Sequence, residues 1–569
     1  MKVSLLFVFL LAWACNSNPV TPGSEFGRIE LTKTLNVNGS AQIDMLWVID
    51  NSGSMCQEQE VLAKNFELFI EEIDKTNLDF HIGVTTTDMG GLVADPVSRP
   101  GYLQSTPQPV PGLFPACLHK LDDKGKEILD DFEPISKSIS RAVGCMKDPS
   151  KGFIPTNAEI ACIIGNKKNC VLPGICGENG KKKCEREDLF PAPDSYRAIP
   201  KVLRASVYKS GGRLDVEKLK ADFSCMSFVG TRGWGVEKGL AAAIEVVKPE
   251  LTGGSLDDPT AQIYDENAVN HGFIRKNARF AVIFVTDEND CSHDGSLDEA
   301  TTCGGDICEY ANIEGVEEGL VSVENLKAQL LENLALSKNR MDFDESEVLV
   351  ASIHGKPRRF TEEEKPLECT QDTRVKPVCA NLLGVAFSGD RYQRFLQSFQ
   401  DGNYFPAKED STQGWLCQGD FSPALKSIGE FVGSSGGGCI SESIFPCSQD
   451  SDCPSFPFSG DEGLCVERPG SLLGESYCNS GIQVRAELLS PSVEKLEQLK
   501  ERGFCEEGSV ADPTYPNGCV VDPKYYRFDA CPAGLEGVKL TWENEKEAKV
   551  ALAETQLEIR FNSISTNRN

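Results

Sequence analysis

The sequence predicts an α/β fold built on a doubly wound, mostly parallel β-sheet. Residues 43–50, 80–84, 279–286 and 348–353 form four short, strongly apolar runs. Apolar residues at helical spacing occur between and after these runs, at 55–74, 234–248, 322–337, 391–399 and 421–432. Strands that are apolar on both faces and alternate with helices are typical of a parallel sheet covered on both sides.

The chain is too long for one ordinary domain. Its 569 residues predict one large domain at 41–435, interrupted by a Cys-rich insertion at about 88–215 that is rich in Pro, Gly and Lys. Beyond it we expect a small Cys-rich module at 436–480 and a β-containing module at 481–569. The Cys-rich module has little room for an apolar core, so its stability should depend on disulfides.

The first residues have the pattern of an export signal. Lys2 precedes an apolar run at 5–13 that is too short to span a bilayer. Residues 12–15, Ala-Trp-Ala-Cys, resemble the lipobox of bacterial lipoproteins. This resemblance implies that 1–15 is a lipoprotein signal peptide, that Cys15 carries the lipid (palmitate) anchor, and that the protein is attached to the outer membrane, on its periplasmic side or at the cell surface. Residues 16–40 are then a flexible tether; the alternative is an ordinary secretory peptide cut after Ala14.

The cysteine count fits an exported protein. Of the 23 cysteines, 22 remain after Cys15, an even number that predicts disulfides formed in an oxidising compartment. Six lie in the insertion (117–184), eight elsewhere within 56–417, and eight within 439–531, so each group can pair internally. No CxxC pair with a matching second pair is present, which disfavours structural zinc.

Hydroxyl and carboxyl side chains follow two of the predicted strands and precede one helix. Asp50, Ser52 and Ser54 come directly after the first apolar run, Thr231 precedes the helix at 234–248, and Asp287 ends the strand at 279–286. The carboxyl ends of parallel strands meet at one edge of a sheet, where ligands bind. The alternative for residues 50–54 alone is a tight turn or a helix N-cap.

These three segments together resemble the von Willebrand factor A (VWA) domain with its metal-ion-dependent adhesion site, or MIDAS. The motif is Asp50-x-Ser52-x-Ser54, followed by Thr231 before a helix and Thr-Asp287 at a strand end. The resemblance implies that the hydroxyls bind Mg²⁺ (or Mn²⁺ or Ca²⁺) directly and that the two carboxylates act mostly through water. Neutral ligands leave the cation much of its charge, so it would attract a carboxylate presented by a protein or surface ligand.

Neighbouring residues suggest further roles. Glu288, Asn289 and Asp290 could adjust the site or bind a second cation, although polar residues in an exposed loop are more often simply solvated. Disulfides at Cys56 and Cys291 would stiffen the site. His81 lies in an apolar strand and is interpreted as a packed histidine.

The charge balance and the motifs that are missing from the sequence disfavour several classes of function. With 57 basic and 86 acidic residues the net charge is −29, which argues against nucleic acid or anionic lipid as the partner. No H-E-x-x-H, G-x-S-x-G or P-loop motif occurs. The sequence therefore predicts a non-enzymatic adhesion or protein-binding lipoprotein. The alternative is a regulatory or scaffolding subunit of an envelope complex or enzyme.

Overall fold

The computed structural model describes, with short gaps, residues 28–36, 42–90, 100–105, 196–297, 306–361 and 375–405. It also describes pieces between 120 and 150 and, from 415 onward, chiefly the strands and helices named below. Cys15, Gly53, Thr231, Arg232 and Trp234 lie outside the described part.

The centre of the molecule is a six-stranded, mostly parallel sheet. Its strands are β1 (Gln42–Ile49), β2 (Asp79–Thr86), β3 (Leu203–Arg204), β4 (Arg279–Val285), β5 (Val348–Ile353) and β6 (Tyr404–Phe405). The spatial order is β6-β5-β4-β1-β2-β3, and only β3 runs antiparallel to its neighbour. A mixed α/β fold with a mostly parallel central sheet is thus observed, as the sequence predicts.

Six helices flank this sheet. They are α1 (Cys56–Lys75), α2 (Val216–Met226), α3 (Gly239–Val246), α4 (Val323–Lys338), α5 (Asp390–Gln397) and α6 (Ser422–Gly436). Alternate residues of each inner strand enter opposite cores: Trp47 and Ile283 pack with α1, α2 and α6, whereas Val48 and Phe284 pack with α3, α4 and α5. Both faces of the sheet are therefore covered, which explains the nearly continuous apolar strands.

Trp47 anchors the first of these cores. Its ring centroid lies 5.7, 5.1 and 5.3 Å from those of Phe66, Phe69 and Phe223, all in edge-to-face geometry. Phe223 belongs to α2, a helix that the sequence analysis did not predict. The carboxyl-terminal end of the predicted insertion is therefore part of the domain core, because β3 joins the sheet and α2 packs on it.

The amino-terminal edge of the sheet contains a buried ionic cluster. The Asp44 carboxylate accepts hydrogen bonds from the Arg275 amide and Nε, both at 2.8 Å, and lies 3.8 Å from Lys338 Nζ. Lys338 also donates to the carbonyls of Arg275 and Ala278. His81 is buried here, with Nδ1 3.0 Å from the Phe273 carbonyl, as expected for a packed histidine.

The terminal segments form separate sheets. The strand Arg28–Asn36 pairs antiparallel with Thr555–Ile564, so the predicted flexible tether at 16–40 is wrong for residues 28–36. Ile29, Leu31 and Leu35 recur at the even spacing of a strand, a weak signal within a polar segment. Cys439–Ile440 pairs with Val538–Trp542, so a strand of the predicted 436–480 module completes a sheet of the 481–569 module.

The remaining elements are short or lie toward the carboxyl terminus. The strands are Lys120–Leu121, Glu127–Ile128, Lys209–Ser210, Arg213–Leu214, Asn312–Ile313, Val316–Glu317, Cys379–Asn381, Gly384–Ala386, Cys465–Glu467, Ser476–Cys478, Ile482–Leu488, Gly518–Val520 and Tyr526–Ala530. The helices are Ala205–Tyr208, Pro249–Thr252, Asp306–Ala311 and Val493–Glu501, with 3-10 turns at Glu345–Glu347 and Pro523–Tyr525. Within the described part, no helix is both long and apolar enough to cross a membrane.

Disulfides connect some of these regions. The described residues include the pairs Cys145–Cys225, Cys291–Cys308 and Cys505–Cys519, and Cys379 is also disulfide-bonded. The Cys145–Cys225 bond joins a cysteine of the predicted insertion to one assigned to the core. The six insertion cysteines can pair among themselves by number, but they do not all do so, because Cys145 is bonded to Cys225 in α2.

Candidate functional site

The first site segment is the turn between β1 and α1. Asp50 is fully buried at the end of β1, and its Oδ1 accepts a hydrogen bond of 2.7 Å from the Ser52 amide. This bond folds the turn so that the Ser52 and Ser54 hydroxyl oxygens lie 3.0 Å apart. Three oxygen-bearing side chains of the predicted site therefore converge within five residues.

The second strand end brings Asp287 to the same edge. The Asp50 amide donates to the Val285 carbonyl, and the Thr286 hydroxyl donates to Asp50 Oδ2 over 2.6 Å. Asp287 is fully buried, and neither of its carboxylate oxygens has a hydrogen-bond partner of ordinary geometry among the described residues. Buried carboxylates are normally satisfied, so these oxygens mark a place where a ligand is expected.

The third segment is held next to the first one by backbone contacts. Gln59 Nε2 donates to the carbonyls of Asp50 (3.0 Å) and Gly230 (2.8 Å), which are far apart in sequence. The Gly233 amide donates to the Asn51 carbonyl, and a Cβ at Gly233 would approach that oxygen to 2.8 Å. Thr231 itself is outside the described residues, but its neighbours Gly230 and Gly233 lie against the Asp50 turn.

Two further buried carboxyl groups, missed in the sequence analysis, border the site. Glu58 is 1% exposed, and neither carboxylate oxygen has a partner in the described part. Glu237 is also 1% exposed; one oxygen accepts from the Thr87 hydroxyl and the other has no described partner. Helical spacing gave a signal for Glu58, which lies one turn before buried Leu62 on the apolar stripe of α1.

Burial and mutual repulsion destabilise the charged forms of these acids. Burial raises the pKa of Asp50, while hydrogen bonds from Thr286 and Ser52 oppose the rise. Burial and then the Asp50 charge hold the pKa of Asp287 well above its ordinary value, and nearby Ser54 lowers it slightly.

Burial and neighbouring charges also raise the pKa values of the two glutamates. Burial followed by the charges of Asp287 and Asp50 raises the pKa of Glu58 well above its usual range. Burial followed by the charges of Asp50 and Glu288 does so for Glu237. Among the described residues, no Lys or Arg forms an ion pair with any of the four acids, so this edge has acidic groups without a described basic partner.

The loop after Asp287 is structural rather than solvated. Asp290 Oδ1 accepts from the Leu240 amide and Ser292 Oγ from the Ala241 amide, so both cap α3 from outside. Arg391 Nε donates to Asp290 Oδ2 at 3.2 Å, and Asn289 is 4% exposed. The interpretation of 288–290 as an exposed polar loop is therefore wrong for Asn289 and Asp290; Glu288 is half-buried.

A disulfide fixes the same loop. Cys291 is bonded to Cys308, as expected for a disulfide beside the site, and its amide donates to the Glu237 carbonyl. The side-chain Nδ2 of Asn289 also donates to Glu309 Oε2 at 3.0 Å. The three segments and the 306–311 helix thus form one connected framework. Cys56 begins α1, and its side chain is outside the described part.

The convergent donors are mixed oxygen ligands and not a cluster of acids alone. In the described part, no three His, Cys, Asp or Glu side chains converge tightly enough to hold a metal ion by themselves. Any cation here would need the Ser52 and Ser54 hydroxyls in addition to the carboxyl groups.

Comparisons with known proteins add little. No protein-family model matches the chain, and no curated protein sequence matches it. One solved structure, the pilus adhesin RrgA from Streptococcus pneumoniae, aligns with 94% of this chain at 10% identity, with a TM-score of 0.19. The alignment spans 57% of the adhesin, and a score this low carries no inference about fold or function.

Proposed function

We propose that this protein binds a divalent cation at the carboxyl edge of its central sheet and uses it to hold an acidic group of a protein or surface ligand. The observation that supports this proposal is the convergence of Asp50, Ser52, Ser54 and Asp287, with the Asp287 oxygens lacking described partners. Thr231 would complete the VWA-type MIDAS from its neighbouring loop.

The donor set fits a hard cation. Mg²⁺ prefers oxygen ligands in octahedral geometry, and the two serine hydroxyls lie as close together as ligands of one ion must. Asp50 and Asp287 would hold bound water and supply negative charge. A cation would also relieve the repulsion among buried carboxyl groups, and its open position would accept a carboxylate from the partner.

The test is isothermal titration calorimetry with Mn²⁺ and Mg²⁺ on the chain lacking residues 1–15. We expect one site of metal binding in the wild type and none in Ser52→Ala or Asp287→Ala. Matched variants Ser427→Ala, on α6, and Asp294→Ala, in the loop after Asp287, should keep the site. A folded wild-type protein that takes up no divalent cation would contradict the proposal.

Partner capture provides the second arm of this test. Envelope extracts passed over immobilised protein with Mg²⁺ should yield a bound fraction that chelator releases and that Ser52→Ala fails to retain. Capture that survives both treatments would instead favour a scaffolding role.

The proposed location is the cell envelope, with Cys15 as the lipid anchor. Cys15→Ala should move the protein from the membrane fraction to the soluble fraction, while Ser17→Ala should not, because a diacyl anchor adds two buried chains. Membrane retention of Cys15→Ala would contradict the anchor.

A further inference from the structure

A short helical turn of the Cys-rich insertion, from Arg141 to Cys145, is firmly attached to the domain core. The Cys145 amide donates to the Arg141 carbonyl at 3.1 Å and thereby closes the turn. The Arg197 amide donates to the Cys145 carbonyl at 2.9 Å, and the Cys145–Cys225 disulfide bonds the turn to α2. The backbone that carries Arg141 is therefore held in position by the core.

The Arg141 side chain contacts the helix that follows the first site segment. Only 8% of this side chain is exposed. Its Nη1 donates to the Gln59 carbonyl at 2.9 Å, and its Nη2 lies 3.5 Å from Glu60 Oε1. Both of these residues belong to the first turns of α1, directly after the turn that carries Asp50. One end of the guanidinium group is therefore fixed against the first site segment.

The same side chain contacts the chain that leads into the third site segment. Arg141 Cζ lies 4.4 Å from the centroid of the Phe228 ring, which is the geometry of a cation–π contact. Phe228 is fully buried, and Val229 alone separates it from Gly230. Gly230 has a φ of 83°, so the chain turns sharply there towards Thr231. Arg141 thus contacts both segments on which the oxygen ligands of the candidate site depend.

Gln59 makes the corresponding connection closer to the site. Its side-chain Nε2 donates to the Asp50 carbonyl at 3.0 Å and to the Gly230 carbonyl at 2.8 Å. Because Arg141 holds the backbone carbonyl of Gln59, the residue that joins the two segments is itself held by the insertion. The separation of the Asp50 turn from the Gly230 loop therefore depends on Arg141 and Gln59 together.

We propose that Arg141 is a positioning residue for the cation site, through which the Cys-rich insertion sets the affinity of that site for divalent cations. This inference rests on the proposed function and adds its regulation: a displacement of the turn at 141–145 lowers cation affinity. A guanidinium group suits this role, because its edge can donate to a carbonyl while its face stacks on a ring. Mg²⁺ demands near-ideal octahedral geometry, so a shift of one ligand-bearing segment weakens binding.

The test is Mn²⁺ affinity by isothermal titration calorimetry, with urea denaturation of the same proteins in chelator. Arg141→Met keeps the side-chain length but removes the donors, and we expect it to bind Mn²⁺ about tenfold more weakly than wild type. Arg141→Lys keeps one cationic donor without the planar fork, so we expect a loss of about threefold. The matched control is Arg197→Met, which removes an ion pair with Asp222 in the same region. It should lower unfolding free energy but keep Mn²⁺ affinity within about twofold, because the affinity of the folded protein depends only on the geometry of the site.

The outcomes separate the positioning role from the cation site itself. If Arg141→Met binds Mn²⁺ as tightly as wild type, the positioning role is overturned and the cation site stands. An equal loss of affinity in Arg197→Met would also overturn it, because any loss of packing would then suffice. If Arg141→Met fails to fold, Arg141→Lys decides, and an affinity equal to that of wild type overturns the role. A folded wild-type protein that binds no Mn²⁺ removes the cation site and the positioning role with it.

Discussion

At the amino-terminal edge of the central sheet, buried Asp44 lies 2.8 Å from Arg275 Nε and 3.8 Å from Lys338 Nζ. At the carboxyl-terminal edge, Asp50, Glu58, Glu237 and Asp287 are equally buried, yet none is paired with a described Lys or Arg. Unpaired buried charge is costly and persists only where something compensates it. The amino-terminal cluster is therefore complete within the chain, whereas the carboxyl-terminal acids lack a described basic partner, which the proposed cation would supply.

The largest expected effect comes from disrupting the buried ionic cluster at the amino-terminal edge of the sheet. Asp44→Ala leaves the Arg275 and Lys338 cations buried without their carboxylate, so the free energy of unfolding should fall by about 3–5 kcal/mol. Urea denaturation measures this loss. Asp258→Ala, at a half-buried surface ion pair with Lys276, should cost no more than about 1 kcal/mol. Similar losses of unfolding free energy for the two variants would contradict the assignment of Asp44 to a buried ionic cluster.

The next largest effect comes from adding a divalent cation, which would bind at the carboxyl-terminal edge. Mn²⁺ at about 100 times its dissociation constant should raise the free energy of unfolding by about 2.7 kcal/mol, because it binds only the folded site. Asp287→Asn should abolish this gain. In chelator the same variant should be no less stable than wild type, since it removes a repelled carboxyl group. A clear loss of stability in chelator would show that Asp287 is paired in the metal-free protein.

The carboxyl-terminal edge also shows which features could be predicted from the sequence and which could not. The strands β1, β4 and β5 were predictable because their apolar runs match the two covered faces, and Asp50, Ser52, Ser54 and Asp287 follow from where those strands end. Their convergence is seen among the described residues, while Thr231 and Cys15 remain predictions.

Other features depend on tertiary contacts that no local pattern encodes. Helix α2 was not predicted from the sequence, and only the folded chain shows that Phe223 packs on Trp47. Asp290 looks like a loop residue in sequence, and only the folded chain brings it to the amino end of α3. Glu237 is similarly hidden, since its burial depends on contacts with Thr87 and the Cys291 amide.

A moderate effect concerns how the free energy of unfolding changes with pH because of buried Lys338. Burial lowers the pKa of Lys338 to about 8, so the unfolded chain holds this proton more tightly than the folded one between pH 8 and about 10.4. Stability contributed by this group should therefore rise with pH, by about 2 kcal/mol from pH 7.5 to 9.5. Lys338→Met should lack this increment in denaturation curves recorded at both pH values. Parallel pH profiles for the two proteins would contradict it.

The smallest effect tests whether Ser292, in the loop after Asp287, is a structural residue or a metal ligand. Ser292→Ala removes the side chain that accepts from the Ala241 amide at the start of α3, so it should cost about 1 kcal/mol. The loss should be the same in Mn²⁺ and in chelator, as measured by thermal denaturation, because Ser292 is not a metal ligand here. A loss confined to the Mn²⁺ samples would assign this residue to the cation site.

The two carbonyls joined by Gln59 also constrain the order of folding. They belong to Asp50 and Gly230, and the longer contact closes a loop of 171 residues, so the site forms only after a distant part of the chain has returned. The Cys145–Cys225 bond lies within that loop and bypasses 80 residues. Because it nearly halves the path, it lowers the entropic cost of closure by about 0.6 kcal/mol. Oxidation of these two cysteines therefore favours the return of Gly230 to the Asp50 turn without any help from a bound ligand.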